Sequence, residues 1–133
     1  MKNINKLLIV GFYIANLVLI IFYLFPGSLF GCLLYADCFK QPKITEDIII
    51  TSNFIISSNH FYVFTFLSVL GFFTYRNPKT IKFLIIYLFL LSIILELFHI
   101  IIPVRGFEWE DLLGNILGVT LVVIIYKIKD KYV

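Results

Sequence analysis

The feature that most constrains the fold is a run of 19 residues, Leu7 to Phe25, that contains no charged side chain. A helix that crosses the hydrocarbon core of a bilayer needs about 20 predominantly apolar residues, so this run predicts a membrane-spanning helix. The composition agrees, because 61% of the 133 residues are hydrophobic, only 14% are charged, and the mean hydropathy is +1.01. Such a chain has too little polar surface to cover a soluble domain of its length.

Four segments are candidates for spans, at about residues 6–25, 58–75, 81–102 and 112–127. The second is marginal in length and carries His60 near its start, so we expect it to be tilted or shielded by its neighbours. The spans should be helices, since a lone strand would leave backbone amides unpaired in hydrocarbon. The sequence therefore predicts an all-α integral membrane protein with about four transmembrane helices, in which residues 1–133 form one domain and residues 26–57 an outer loop.

The basic residues predict the orientation of these spans. With both termini in the cytoplasm, eight basic residues lie inside and three outside, as the positive-inside rule favours. The inner set is Lys2, Lys6, Arg76, Lys79, Lys82, Lys127, Lys129 and Lys131, and the outer set is Lys40, Lys43 and Arg105. This bias accounts for the net charge of +3 without a nucleic-acid partner.

The first apolar run also raises the alternative of a cleaved signal peptide, because a basic start precedes it. The run is longer than the core of a secretory signal and lacks a small-residue cleavage site, which favours a retained anchor. The sequence LFGC, residues 29–32, loosely resembles a lipoprotein box in which Cys32 would carry the lipid. The bulky Phe30 and the late position of the cysteine argue against that alternative.

Cys32 and Cys38 are the only cysteines, and both lie in the predicted outer loop. On an oxidising face they are candidates for a small disulfide loop, with two free thiols as the alternative. Without nearby histidines they make a poor zinc site. Further along the loop, residues 47–58 are apolar with polar interruptions, which is typical of either an interfacial segment or a strand-like flap.

Polar residues gather where the third and fourth spans meet. If the third span ends near Ile102, Glu96 lies about 9 Å below its outer edge and shares a helix face with His99 and Pro103. A carboxylate at that depth should face protein partners and not lipid. Arg105 lies in the connection that follows, close to Trp109, an expected interfacial anchor.

The fourth span carries a matching stripe of polar and small residues. Asp111, Gly114, Asn115 and Gly118 follow the i, i+3, i+4, i+7 spacing of one helix face. The two glycines allow a second helix to approach closely, and we expect this face to dock against the face of Glu96. The candidate site, here called the polar cluster, comprises six residues at the outer ends of three helices: His60, Glu96, His99, Arg105, Asp111 and Asn115.

Four motifs follow one another in the C-terminal half: HFYVF from His60, ELFH from Glu96, PVR at 103–105 and DLLGNILG at 111–118. Over residues 58–127 this order resembles the VanZ-like family of small bacterial membrane proteins, whose pattern is a histidine, Glu-x-x-Gln, Pro-x-Arg and Asp-x-x-x-Asn-x-x-Gly. His99 stands where the family usually has glutamine, and Ile56 and Ser57 replace a common Asp-Lys pair. The resemblance implies a cell-envelope protein of the bacterial inner membrane, with a role in susceptibility to teicoplanin-type glycopeptide antibiotics.

Three functions remain open for the polar cluster. In the first, Arg105 pairs with a phosphate or carboxylate of a lipid-linked or peptidoglycan-related ligand, and the other members hold its polar groups. In the second, the histidines and carboxylates act as acid, base or metal ligands in a hydrolase or transferase for lipid head groups. In the third, the side chains are interhelical contacts and the functional surface belongs to an oligomer or a partner protein.

Overall fold

Each of the four predicted spans is a helix in the computed structural model, which describes residues 2–51 and 54–132. A short helix and a two-stranded hairpin lie between the first and second of these helices. The elements in chain order are α1 (Lys2–Leu24), α2 (Leu29–Tyr35), β1 (Ile48–Thr51), β2 (Phe54–Ile56), α3 (Ser58–Thr74), α4 (Pro78–Phe98) and α5 (Trp109–Tyr132).

Three of the described helices, α1, α4 and α5, are long and apolar enough to cross a membrane. They confirm the prediction of a helical membrane protein. Helix α3 has 17 residues, so it is about 25 Å long, somewhat less than the roughly 30 Å of a hydrocarbon core. It is shielded by its neighbours, because Phe64 and Leu67 are almost fully buried among the other helices.

Helix α4 ends at Phe98, four residues before the predicted Ile102. The backbone N–H groups of His99 and Ile100 donate to carbonyls three residues back, which tightens the chain into turns. Val104 then takes a positive φ of 68°, which a continuing helix does not allow. Glu96 therefore lies about 3 Å from the end of its helix, not the predicted 9 Å, and His99 and Pro103 follow the helix.

The helices run antiparallel to their neighbours in the chain. Thr74 at the end of α3 donates through Oγ1 to the carbonyl of Leu8 near the start of α1. At the opposite end, the N–H of Ser57 donates to the carbonyl of Glu110. The end of the bundle that holds the polar cluster is thus formed where α1 and α4 finish and α3 and α5 begin, and it is here called the outer end after the predicted orientation.

Glycines set the closest helix contacts. A Cβ added to Gly114 or Gly118 would lie 2.7 Å or 2.5 Å from a backbone oxygen just before or within α3. The face of α5 that carries the two glycines therefore packs against α3. For Gly114 and Gly118, the expectation that this face docks against the Glu96 face of α4 is wrong. Asn115, between them, does reach α4, because its Nδ2 donates to the carbonyl of Ser92.

The outer loop is folded against the outer end. Cys32 and Cys38 form a disulfide and are not two free thiols. The β-branched residues around Ile48 and Ile55 pair as an antiparallel hairpin. Of the two alternatives for residues 47–58, the structure therefore has the strand-like one. This hairpin is a small departure from the predicted all-α fold. Hydrogen bonds from Ser58 to Thr45 and Asp47 hold the loop to the start of α3.

Candidate functional site

Five of the six predicted residues of the polar cluster meet at the outer end. Glu96 and Asn115 are fully buried, His99 is 1% exposed, and His60 is 9% exposed. The Asp111 side chain keeps 15% of its exposure, so the group lies just beneath the surface of the outer end. Buried polar groups in such numbers need partners, and their hydrogen bonds define the site.

Tyr23 of α1 is a central member of this site that the sequence analysis missed. Its hydroxyl lies 2.7 Å from Nδ1 of His60 and 2.6 Å from Oδ1 of Asn115, and its ring stacks on His99 with 5.5 Å between centroids. A signal was present in the sequence, because Asn16 and Tyr23 are two polar residues seven positions apart in an apolar run. That spacing is two helical turns, and both residues lie on the buried face of α1.

The hydrogen bonds around Tyr23 fix the tautomer of His60. Asn115 donates through Nδ2 to Ser92, so its Oδ1 faces Tyr23 and His60 and can only accept. The Tyr23 hydroxyl has one proton, which it donates to Asn115. His60 must then donate from Nδ1, because otherwise two acceptors would face each other.

Nε2 of His60 points to Asp111, with 3.2 Å to Oδ2. A ring nitrogen of His60 and one carboxylate oxygen each from Glu96 and Asp111 all lie within 4.8 Å of one another. These three residues are of the types that bind divalent metal ions. His99, the fourth predicted candidate for a metal ligand, is not part of this group. Its ring lies between Glu96 and the backbone carbonyl of Tyr23.

Glu96 is tied to the outer connection through one of its two oxygens. Oε1 accepts from the backbone N–H of Glu108 at 3.1 Å and lies 3.3 Å from Nδ1 of His99. His99 donates its other ring nitrogen, Nε2, to the carbonyl of Tyr23 at 3.1 Å. The second oxygen, Oε2, is buried and has no hydrogen-bond partner among the residues that the structure describes.

Arg105, the sixth predicted residue, lies beside the other five. Its Nε and one Nη donate to the carbonyls of Phe25 and Phe22, each at 3.4 Å, at the end of α1. A cation at this position suits the negative end of the helix dipole. Within residues 2–51 and 54–132, no carboxylate oxygen lies within 4.0 Å of its guanidinium nitrogens. Among the residues that the structure describes, the charge of Arg105 therefore has no paired anion.

A cavity of about 320 Å³ adjoins these residues, between α1, α3 and the outer loop. Its polar end is formed by Tyr23, His60, His99 and Arg105 together with loop side chains. Its remaining wall is apolar and comes from α1, α3 and the start of α2, and the lining residues Val18 and Phe66 are 45% and 65% exposed. The apolar wall of the cavity thus reaches the exposed surface of α1 and α3.

Glu108 is an acid next to the site, and it lies outside the helices, in the connection before α5. Partial desolvation raises the pKa of its side chain, and the carboxylates of Asp111 and Glu110 raise it further. The negative charges at the outer end are therefore crowded, and a cation bound there would relieve the repulsion.

The fold and site define a helical membrane protein with a buried polar site at one end of its bundle. No family model, curated protein sequence or solved structure matches the chain.

Proposed function

We propose that the protein binds an amphipathic lipid with an anionic head group in the cavity between α1, α3 and the outer loop. The observation that carries this proposal is the position of Arg105 at the polar end of a cavity whose other walls are apolar, where no carboxylate of the described residues pairs with it. Its volume of about 320 Å³ is at the lower end of the range for ligand sites.

The guanidinium of Arg105 is the group at this end that could pair with an anion, since the nearby carboxylates of Asp111, Glu96 and Glu108 act on it only from a distance. The partial burial of Arg105 lowers the pKa of its guanidinium, because desolvation disfavours the charged form. The two carbonyl contacts are long at 3.4 Å and supply only dipoles. A phosphate or carboxylate would form the bidentate pair that arginine geometry favours and would offset that desolvation.

The apolar wall indicates how the rest of the ligand is held. Val18 and Phe66 line the cavity and remain exposed on the outside of α1 and α3, so an acyl or prenyl chain can lie along them without leaving the bilayer. Gln41 lines the end near the loop and offers its side-chain amide to a polar head. A lipid-linked or peptidoglycan-related envelope precursor has this combination of parts.

The wider setting belongs to the same proposal. We propose a VanZ-like protein of the bacterial inner membrane, with α3 as a fourth span, cytoplasmic termini and the site facing outward. The eight-to-three bias of basic residues and the motif order over residues 58–127 support this setting. In a VanZ-like role, ligand binding would alter susceptibility to teicoplanin-type antibiotics.

Lipid retention tests the proposal. The purified protein is mixed with undecaprenyl phosphate, phosphatidylglycerol or zwitterionic phosphatidylcholine and examined by native mass spectrometry. We expect the two anionic lipids to be retained preferentially and Arg105→Gln to lose that preference, since glutamine keeps N–H donors for the α1 carbonyls but has no charge. Arg76→Gln, at an exposed arginine of the opposite end, is the matched control. Equal retention by the Arg105→Gln variant would refute the proposal.

A structural role is the second candidate, and the Tyr23 network favours it. Tyr23, His60, Asn115 and the carbonyl of Ser92 join all four long helices through hydrogen bonds. Each such contact contributes roughly 0.6 to 2 kcal/mol in a membrane protein. If the role is structural, Arg105→Gln lowers both the melting temperature and lipid retention. If Arg105 binds the lipid, the same substitution lowers lipid retention and leaves the melting temperature unchanged.

A further inference from the structure

We propose that His60, Glu96 and Asp111 form a binding site for a divalent transition-metal ion, of which Zn²⁺ is the best fit. One donor atom from each residue lies within 4.8 Å of the other two, and the three come from three different helices. The metal site shares His60 with the polar end of the cavity, but Glu96 and Asp111 do not line that cavity, so metal binding is measured without lipid.

The tautomer of His60 prepares its Nε2 as a ligand. Nδ1 donates its proton toward Tyr23 and Asn115, so in the neutral ring the lone pair is on Nε2. That lone pair faces an oxygen of Asp111 at 3.2 Å. Two acceptors at this distance repel unless a cation or a proton lies between them. Metal-bound histidines have the same arrangement, with the far nitrogen donating to a second group that orients the ring.

Glu96 supplies the second, independent observation. Its side chain is fully buried, and Oε2 has no hydrogen-bond partner among the described residues, while Oε1 accepts from the backbone N–H of Glu108. A buried carboxylate oxygen without a partner loses its hydration and gains nothing in return. A metal ion shared with His60 and Asp111 would supply the missing partner.

The ligand types favour zinc over the harder cations. Zinc sites with an open position have three protein ligands from histidine and carboxylates, whereas Ca²⁺ and Mg²⁺ select oxygen. Ligands about 2.0 to 2.1 Å from a tetrahedral zinc lie about 3.3 Å apart, close to the 3.2 Å between His60 and Asp111. The two carboxylates match the charge of a dication, and the exposed part of Asp111 leaves a route from the outer surface.

Metal content measures this site directly. The detergent-purified full chain is stripped with a chelator, dialysed against buffered Zn²⁺ and analysed by elemental mass spectrometry. We expect one Zn²⁺ per chain for the wild type and at least a tenfold weaker affinity for Glu96→Gln. Glu110→Gln, an exposed acid at the start of α5, is the matched control and should bind like the wild type.

Two further measurements keep the test decisive if Glu96→Gln does not fold. Tyr23→Phe removes the hydroxyl that orients His60 and should weaken Zn²⁺ binding 10- to 100-fold, as loss of a supporting hydrogen bond does in other metal sites. Co²⁺ bound to the wild type should show visible absorption bands of nitrogen and oxygen ligation. A wild type that takes up no Zn²⁺, or a Glu110→Gln variant that loses as much affinity as Glu96→Gln, would overturn the proposal.

Discussion

Replacement of Gly118 by alanine should destabilise the protein, because the new methyl group has no room. Its Cβ would lie 2.5 Å from the carbonyl oxygen of Phe61 and 2.9 Å from the backbone nitrogen of Thr65, both in α3. Ordinary contact begins at 3.4 Å, so α3 and α5 must separate by about 0.9 Å at this point. Backbone atoms of a helix cannot turn aside as a flexible side chain can.

The expected loss is about 1 to 3 kcal/mol, as for other insertions into a packed interior. The separation also strains the outer end, since His60 and Asn115 lie on the same two helices. Part of the loss is offset because alanine favours the helix more than glycine does, by about 1 kcal/mol in water. We therefore expect a clear fall in melting temperature with the helical circular-dichroism spectrum retained.

Thermal unfolding in a mild detergent measures this effect. Gly11→Ala is the matched control, since a Cβ at Gly11 would meet nothing within 4 Å and the same change should be neutral or stabilising. If Gly118→Ala melts at the temperature of the wild type, α3 and α5 do not pack as closely as described, and the geometry inferred for the polar cluster fails with them.

Three further changes have definite expected outcomes. Asn115→Ala leaves Tyr23 and His60 without their acceptor, so it should cost roughly 1 to 3 kcal/mol in detergent unfolding; no loss would mean that the Tyr23 network is absent. Alkylation should add no mass to the intact chain until the disulfide is reduced, after which Cys32 and Cys38 each take one adduct. Adducts that form without reduction would exclude the disulfide. Cys38→Ser should lower the stability of the outer loop by about 2 kcal/mol. Glu108→Gln should raise the melting temperature at pH 7, because the raised pKa of Glu108 makes its ionised form unfavourable in the folded state. The gain should vanish below the ordinary pKa of 4.5, where the side chain is neutral in both the folded and the unfolded protein. A gain that persists at that pH would contradict this cause.

Much of the polar cluster is predictable from the sequence because few residues in an apolar chain are polar. Glu96, His99, Asp111 and Asn115 stand out against their surroundings, and helical spacing places them on inward faces. The structure buries Glu96, His99 and Asn115 almost completely and brings Asp111 to within 3.2 Å of His60. Tyr23 was missed because tyrosine is common in apolar spans, and only its partners show that its hydroxyl is used.

The sequence by itself determined that the chain is a helical membrane protein, because uncharged runs of about 20 residues are stable only in lipid and only with internal backbone hydrogen bonds. Only the tertiary structure decided which faces meet: Gly114 and Gly118 against α3, and Arg105 at the end of α1. It also decided where α4 ends and that residues around Ile48 and Ile55 pair as strands. The physical reason is that helical periodicity specifies the face on which a residue lies, whereas the partner of that face depends on contacts between segments far apart in the chain.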